Sequence, residues 1–134
     1  MIYVASRTKH AEMWKGLRAS GVPIISTWID EAGAGETDDL SELWVRIAAE
    51  IYVSKGILLY AEPEDFPLKG ALIECGIGLG CGVPVALVLP NVKLEPRSYR
   101  PVGSWMKHPN CILVPSIRLA VAQLGFGWKG NEYA

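Results

Sequence analysis

The stretch Gly56-Ile57-Leu58-Leu59-Tyr60-Ala61, answered after a helical interval by Val83-Pro84-Val85-Ala86-Leu87-Val88-Leu89, decides the fold. Both runs are strand-sized and continuously apolar instead of alternating, the pattern of strands buried on both faces of a parallel sheet. Residues 69–81 between them read as a helix despite their glycines, which gives a strand-helix-strand unit with a right-handed crossover. Working outward, Ile2-Tyr3-Val4-Ala5, Pro23-Ile24-Ile25-Ser26-Thr27 and Cys111-Ile112-Leu113-Val114 carry the same strand signature. Helices are predicted over residues 10–20, 39–54 and 116–124. The first has Met13, Trp14 and Leu17 on one face and Gly21 and Pro23 as stop signals. In the second, Leu40, Leu43, Trp44, Ile47, Ile51 and Val53 recur near helical spacing, Asp39 or Ser41 can serve as cap, and Glu42 and Arg46 stand four apart. Ser116 caps the last. The expected fold is α/β, a flavodoxin-like or Rossmann-like doubly wound sheet of about five mainly parallel strands flanked by helices.

At 134 residues the chain suits one hydrophobic core, so residues 1–134 are expected to form a single domain, with 125–134 as a tail. A formal net charge of −1 without a basic run leaves no phosphate-neutralising surface, which argues against a nucleic acid polymer as partner. Cys75, Cys81 and Cys111 are odd in number and lack C-x-x-C spacing, so no metal site or disulfide framework is expected and a cytoplasmic location fits. The apolar start reaches Ser6, Arg7 and Thr8 too soon for a signal peptide, and no apolar run has membrane-spanning length. The glycine run Gly76-x-Gly78-x-Gly80-x-Gly82 misses the G-x-G-x-x-G spacing and lies inside a helix. It is read as allowing close packing, and no cofactor is expected.

Ligands of doubly wound sheets bind beyond the carboxyl ends of the strands, where strand order reverses. That rule selects Ser6 and Arg7, Trp28 and Asp30, the segment Glu62 to Lys69, and the loop from Pro90 onward, which is long for a compact domain. Trp28 and Asp30 end the second predicted strand, where they can stack against and hydrogen-bond a base, or serve as an ordinary core edge. Glu74 is a lone carboxylate among Ala71, Leu72, Ile73, Cys75 and Ile77, facing either the core or a cleft. From the residues alone it is either a dipole-favoured residue near the helix start, solvated or paired with Lys69, or a functional acid.

The run Leu68-Lys69-Gly70-Ala71-Leu72-Ile73-Glu74-Cys75-Gly76-Ile77-Gly78-Leu79-Gly80-Cys81-Gly82-Val83-Pro84-Val85, with Tyr3-Val4-Ala5-Ser6 near the amino terminus, resembles the nucleoside 2-deoxyribosyltransferase family, including the related deoxynucleotide N-hydrolases. In that family a small-residue helix carries a Glu followed by Gly and then a Gly-x-Pro-Val entry into the next strand. The resemblance is strongest between Gly56 and Leu89. It implies that Glu74 is a nucleophile attacking a sugar carbon with retention of configuration. It further implies that Asp65, with Glu64 and Glu62 as rivals, is the acidic residue near the base, and that Tyr3 orients the nucleophile. Ser6 and Arg7 would hold a sugar hydroxyl or a 5′-phosphate, the planar guanidinium suiting phosphate oxygens. Lys69, Gly70 and, from the long loop, Ser98 complete the expected substrate-binding set. The expected ligand is a small nucleoside or nucleotide, and the expected reaction is transfer of deoxyribose to another base or to water.

Where the family often has an acid in the helix before the third strand and an Ala-Asp pair just ahead of that strand, this chain has Arg46 and Ile47, and Ser54-Lys55. Glu50 or Glu42 can substitute spatially. An inactive nucleotide-binding or sensing module of the same fold is the alternative. His10 and His108 read as solvated, with His108 the better functional candidate. The aromatic tail and the shallow pocket of so small a domain point to a homodimer or higher homo-oligomer, with Arg97, Ser98 and Arg100, or Asn131 and Tyr133, reaching a neighbour's site.

Overall fold

The computed structural model describes residues 1–33 and 37–127. The expected donors Asn131 and Tyr133 lie outside the described residues. The elements in chain order are β1 (Ile2–Ala5), α1 (Ala11–Ala19), α2 (Trp28–Glu31), α3 (Leu40–Val53), β2 (Gly56–Tyr60), α4 (Gly70–Gly80), β3 (Val85–Val88), β4 (Cys111–Leu113) and α5 (Ile117–Gln123), with short 3-10 turns at Thr8–His10, Pro63–Asp65 and Ser104–Lys107. The four strands form one parallel sheet in the order β1-β2-β3-β4. Helices cover both faces, so the fold is α/β and doubly wound.

Alternate residues along each strand separate two cores. Ile2, Val4, Leu58, Tyr60, Ala86 and Val88 pack with Trp14 and Leu17 of α1 and Ile117, Ala120 and Val121 of α5. Tyr3, Ala5, Ile57, Leu59, Val85 and Leu87 pack with Ile47 and Ile51 of α3 and Ala71 and Cys75 of α4. Double-sided burial explains why these strands are apolar throughout. Helix caps follow the sequence: Asp39 accepts the Glu42 N–H at 3.0 Å, and Ser116 accepts that of Leu119 at 3.2 Å. Of the small residues in α4, Gly78 is the one that packing demands, because a Cβ there would collide with Ile57 Cδ1, whereas Gly76 and Gly80 face open space.

Two expectations are corrected. The predicted strand at residues 23–27 is a single parallel bridge between Ile2 and Ile24. Pro23 has no N–H to give, and the Ser26 hydroxyl accepts the Val4 N–H at 2.6 Å, replacing the backbone acceptor a longer ladder would use. The chain then turns helical, so Trp28 and Asp30 stand on α2. Second, β4 is an edge strand with Ile112 and Leu113 exposed, although its sequence is as apolar as that of the buried strands.

The bridge segment flanks β1 on the side away from β2, so the chain leaves β1 outward and then jumps back across it to β2. Strand order therefore reverses at the β1–β2 boundary, and the crevice rule points to the loops that follow these two strands.

Candidate active site

A cleft of about 340 Å³ opens there, large enough for a small-molecule ligand. Ser6, Arg7 and Thr8 line it from the turn after β1, Trp28 from α2, Leu43, Trp44 and Ile47 from the first half of α3, and Leu68 to Ala71 with Glu74 from the start of α4. The start of α3 supplies a wall because Leu43 and Trp44 are only partly buried, while Ile47 and Ile51 further along the same stripe enter the core.

Glu74 is 7% exposed and lines the cleft one turn inside α4. The hydroxyl of Tyr3, from the middle of β1, donates a hydrogen bond to its Oε1. No hydrogen bond from the described residues reaches its second oxygen. Burial pushes the Glu74 carboxyl up to about 7, the Tyr3 hydrogen bond works in the opposite direction, and the Glu50 carboxylate adds to the rise. Burial, followed by the Glu74 charge, raises the Tyr3 phenol far above its ordinary value, so it acts only as a donor. The arrangement is a desolvated carboxyl that titrates near neutrality, held by a permanent donor, with one oxygen free to attack or to exchange a proton.

Glu50 was named in the sequence only as a substitute acid, and the structure gives it a definite place. It accepts the Thr27 N–H at 3.2 Å and the Thr27 hydroxyl at 2.5 Å. Arg46 donates to the same hydroxyl at 2.6 Å and pairs with Glu31 at 2.5 Å and Glu42 at 3.0 Å. These contacts fix the entry to α2. Trp28, the next residue, donates its indole N–H to the Val4 carbonyl at 2.8 Å.

Asp65 is buried but is absent from the cleft lining. Its carboxylate accepts the Glu62 N–H at 2.8 Å and pairs with His10 at 2.8 Å and Lys9 at 3.0 Å, and Arg7 reaches its carbonyl at 3.4 Å. Burial opposes ionisation, yet the Glu62 N–H, His10 and Lys9 outweigh it and hold Asp65 below the usual carboxylate range. The group is thus a charged clasp between the turns after β1 and β2, unsuited to deliver a proton. His10, expected in solvent, has a side chain only 11% exposed because Asp65 and the edge of Tyr60 enclose it.

The other expected residues divide similarly. Ser6, Arg7, Trp28, Lys69 and Gly70 share the cleft with Glu74. Glu62 accepts the Tyr60 hydroxyl at 2.5 Å, Asp30 forms a two-pronged pair with Arg18, and Ser98 bonds Glu95 within its own loop, so none of the three lines the cleft. His108 is exposed and accepts the Asn110 N–H. His10, Glu62 and Asp65 place ligand atoms within 4.8 Å of one another. The Lys9 ammonium and the Glu62 N–H already serve the Asp65 oxygens, which disfavours a cation there. Sequence periodicity missed Trp44, since it assigns core and cleft residues of one helical stripe alike.

Neither a protein-family model nor a characterised protein matches the chain. Among the described residues, no helix is long and apolar enough to cross a membrane.

Proposed function

We propose that the chain cleaves the N-glycosidic bond of a deoxynucleoside or its 5′-monophosphate, with Glu74 as nucleophile. The observation that carries this reading is Glu74, lining the cleft at the strand-order reversal and held from behind by the buried Tyr3 hydroxyl. A glutamate titrating near 7 is substantially ionised at neutral pH while remaining poorly solvated, a state suited to attack on an anomeric carbon. The Glu74 oxygen forms a bond to the sugar C1′ as the C1′–N bond breaks, and the base leaves with the bonding pair and takes a proton from water. In the second step, water or another base attacks C1′ and the Glu74 carboxylate departs, so two inversions give net retention. The resemblance of residues 68–85 to the nucleoside 2-deoxyribosyltransferases supports the same chemistry.

Arg7 and Lys69, the cationic side chains of the lining, favour a 5′-phosphate in the cleft. Chromatographic assay of free base from deoxynucleosides and their 5′-monophosphates tests the reading, and an added second base separates transfer from hydrolysis. Arg7→Ala should raise KM about tenfold for the nucleotide, the scale of one charge-assisted contact, and leave the nucleoside unaffected. A nucleotide-binding module without turnover is the second reading. It is favoured by one observation: Glu74 is the sole acidic side chain among the lining residues, so no second carboxyl is at hand to protonate the departing base.

We also propose self-association. α3 and α4 pack side by side and expose Val45, Tyr52 and Ile73, and open space over Gly76 and Gly80 would let α4 of a second copy approach closely. The free cysteines accord with the cytoplasm as the site of action.

A further inference from the structure

The two tryptophans of the cleft are held in different ways. Trp28 has spent its indole N–H on Val4, and the preceding Thr27 is gripped by Glu50 and Arg46, so its ring is a fixed wall. Trp44 stands on α3, partly buried, with no hydrogen bond from its indole N–H among the described residues. Its six-membered ring reaches over the first residue of α4, where a Cβ on Gly70 would lie 3.7 Å from both Cη2 and Cζ2. Leu43, Ile47 and Leu68 add apolar surface to the same cleft, which Arg7 and Lys69 also line. An indole on a cleft wall, free of polar obligations and flanked by aliphatic side chains, offers a π-face to a flat ring at little desolvation cost.

We propose that Trp44 is the specificity-determining residue of the cleft, the wall on which the planar base of the substrate stacks. The inference rests on the reading of the cleft as a nucleoside site and adds which residue selects the base. A bicyclic purine covers more of an indole than a monocyclic pyrimidine, so Trp44 biases the site toward purines. A residue that merely packed α3 against α4 would affect stability alone, and base selectivity would not follow its ring size.

The test compares wild type, Trp44→Phe and Trp44→Ala on 2′-deoxyadenosine 5′-monophosphate and thymidine 5′-monophosphate. Stacking of one base predicts that Trp44→Ala raises KM for the purine about tenfold or more with kcat changed less than about threefold, that the purine preference collapses, and that Trp44→Phe lies between. An unchanged preference in Trp44→Phe overturns the proposal, and that milder variant remains decisive if the alanine variant does not fold. Quenching of tryptophan fluorescence by 2′-deoxyadenosine 5′-monophosphate in the Glu74→Gln protein gives a readout free of turnover. Loss of most of the quench on adding Trp44→Phe supports the stacking wall even if wild type releases no base, in which case the glycosidic reading alone falls. A quench that survives Trp44→Phe, or no quench at all, overturns the stacking role whatever the turnover.

Discussion

The hydroxyl of Tyr3, buried on β1, donates to the carboxylate of Glu74 on α4, joining residues 71 apart in sequence, of which Glu74 lines the cleft. Burial is the larger effect on Glu74, and the bond opposes it, so the phenol favours the ionised carboxylate. Tyr3→Phe should move the Glu74 titration above about 7. Base release at pH 7 should fall by roughly tenfold to a hundredfold, the effect of one hydrogen bond to a charged group, and the acid limb of the pH–rate profile should move to higher pH. The profile of the variant against wild type checks both.

Glu74 also links stability to pH. Its carboxyl is raised from 4.5 to about 7, so the fold binds this proton more tightly than the unfolded chain does. Its contribution is fully present below pH 4.5 and is lost as the pH rises through 7. Glu74→Gln, which cannot ionise, should therefore be more stable than wild type at pH 8, by on the order of 3 kcal/mol, with the gain vanishing toward pH 4. Urea unfolding of the two proteins at both pH values measures the difference.

Asp65 has the opposite sign. Its carboxyl is lowered in the fold, so its contribution is present above the ordinary value of 3.8 and is lost as the pH falls through the lower folded value. Asp65→Asn should cost roughly 2 kcal/mol at pH 7 by loosening the clasp to His10 and Lys9. Activity should stay within about tenfold of wild type, because the group is not on the cleft wall. A loss of several orders of magnitude with unchanged stability would restore Asp65 to the chemistry.

How much was legible in the sequence differs by residue type. Ile57 to Leu59 and Val85 to Val88 announced buried parallel strands because burial on two faces demands apolar residues at every position. Pro23 to Thr27 has the same composition, but one side-chain hydroxyl, Ser26, ends the ladder, and no propensity scale contains that contact. Ile112 and Leu113 look like core, yet nothing pairs beyond β4 among the described residues. At the site, Glu74 stood out as a carboxylate among apolar neighbours. Asp65 had the same letter-level appeal, and only the positions of Lys9 and His10 reveal its pairing. Trp44 was hidden because it lies on the same helical stripe as the core residues Ile47 and Ile51, and spacing alone does not tell a cleft-lining residue from a core one.

Assembly gives a fourth outcome. If a second copy covers the outer face of α3 and α4, wild type should scatter light as a dimer across a concentration series. Ile73→Glu should then yield a monomer of half the mass, because a charge buried in that interface has no partner. A wild-type monomer at every concentration would refute the shared surface.

A bond between Glu74 and the sugar would be visible in the intact mass of rapidly quenched enzyme. With a 2′-deoxynucleoside 5′-monophosphate, wild type should carry a deoxyribosyl 5-phosphate adduct that maps to Glu74, and Glu74→Gln should carry none while its base release falls by orders of magnitude. An adduct on another residue, or undiminished base release from Glu74→Gln, would show that Glu74 is not the nucleophile.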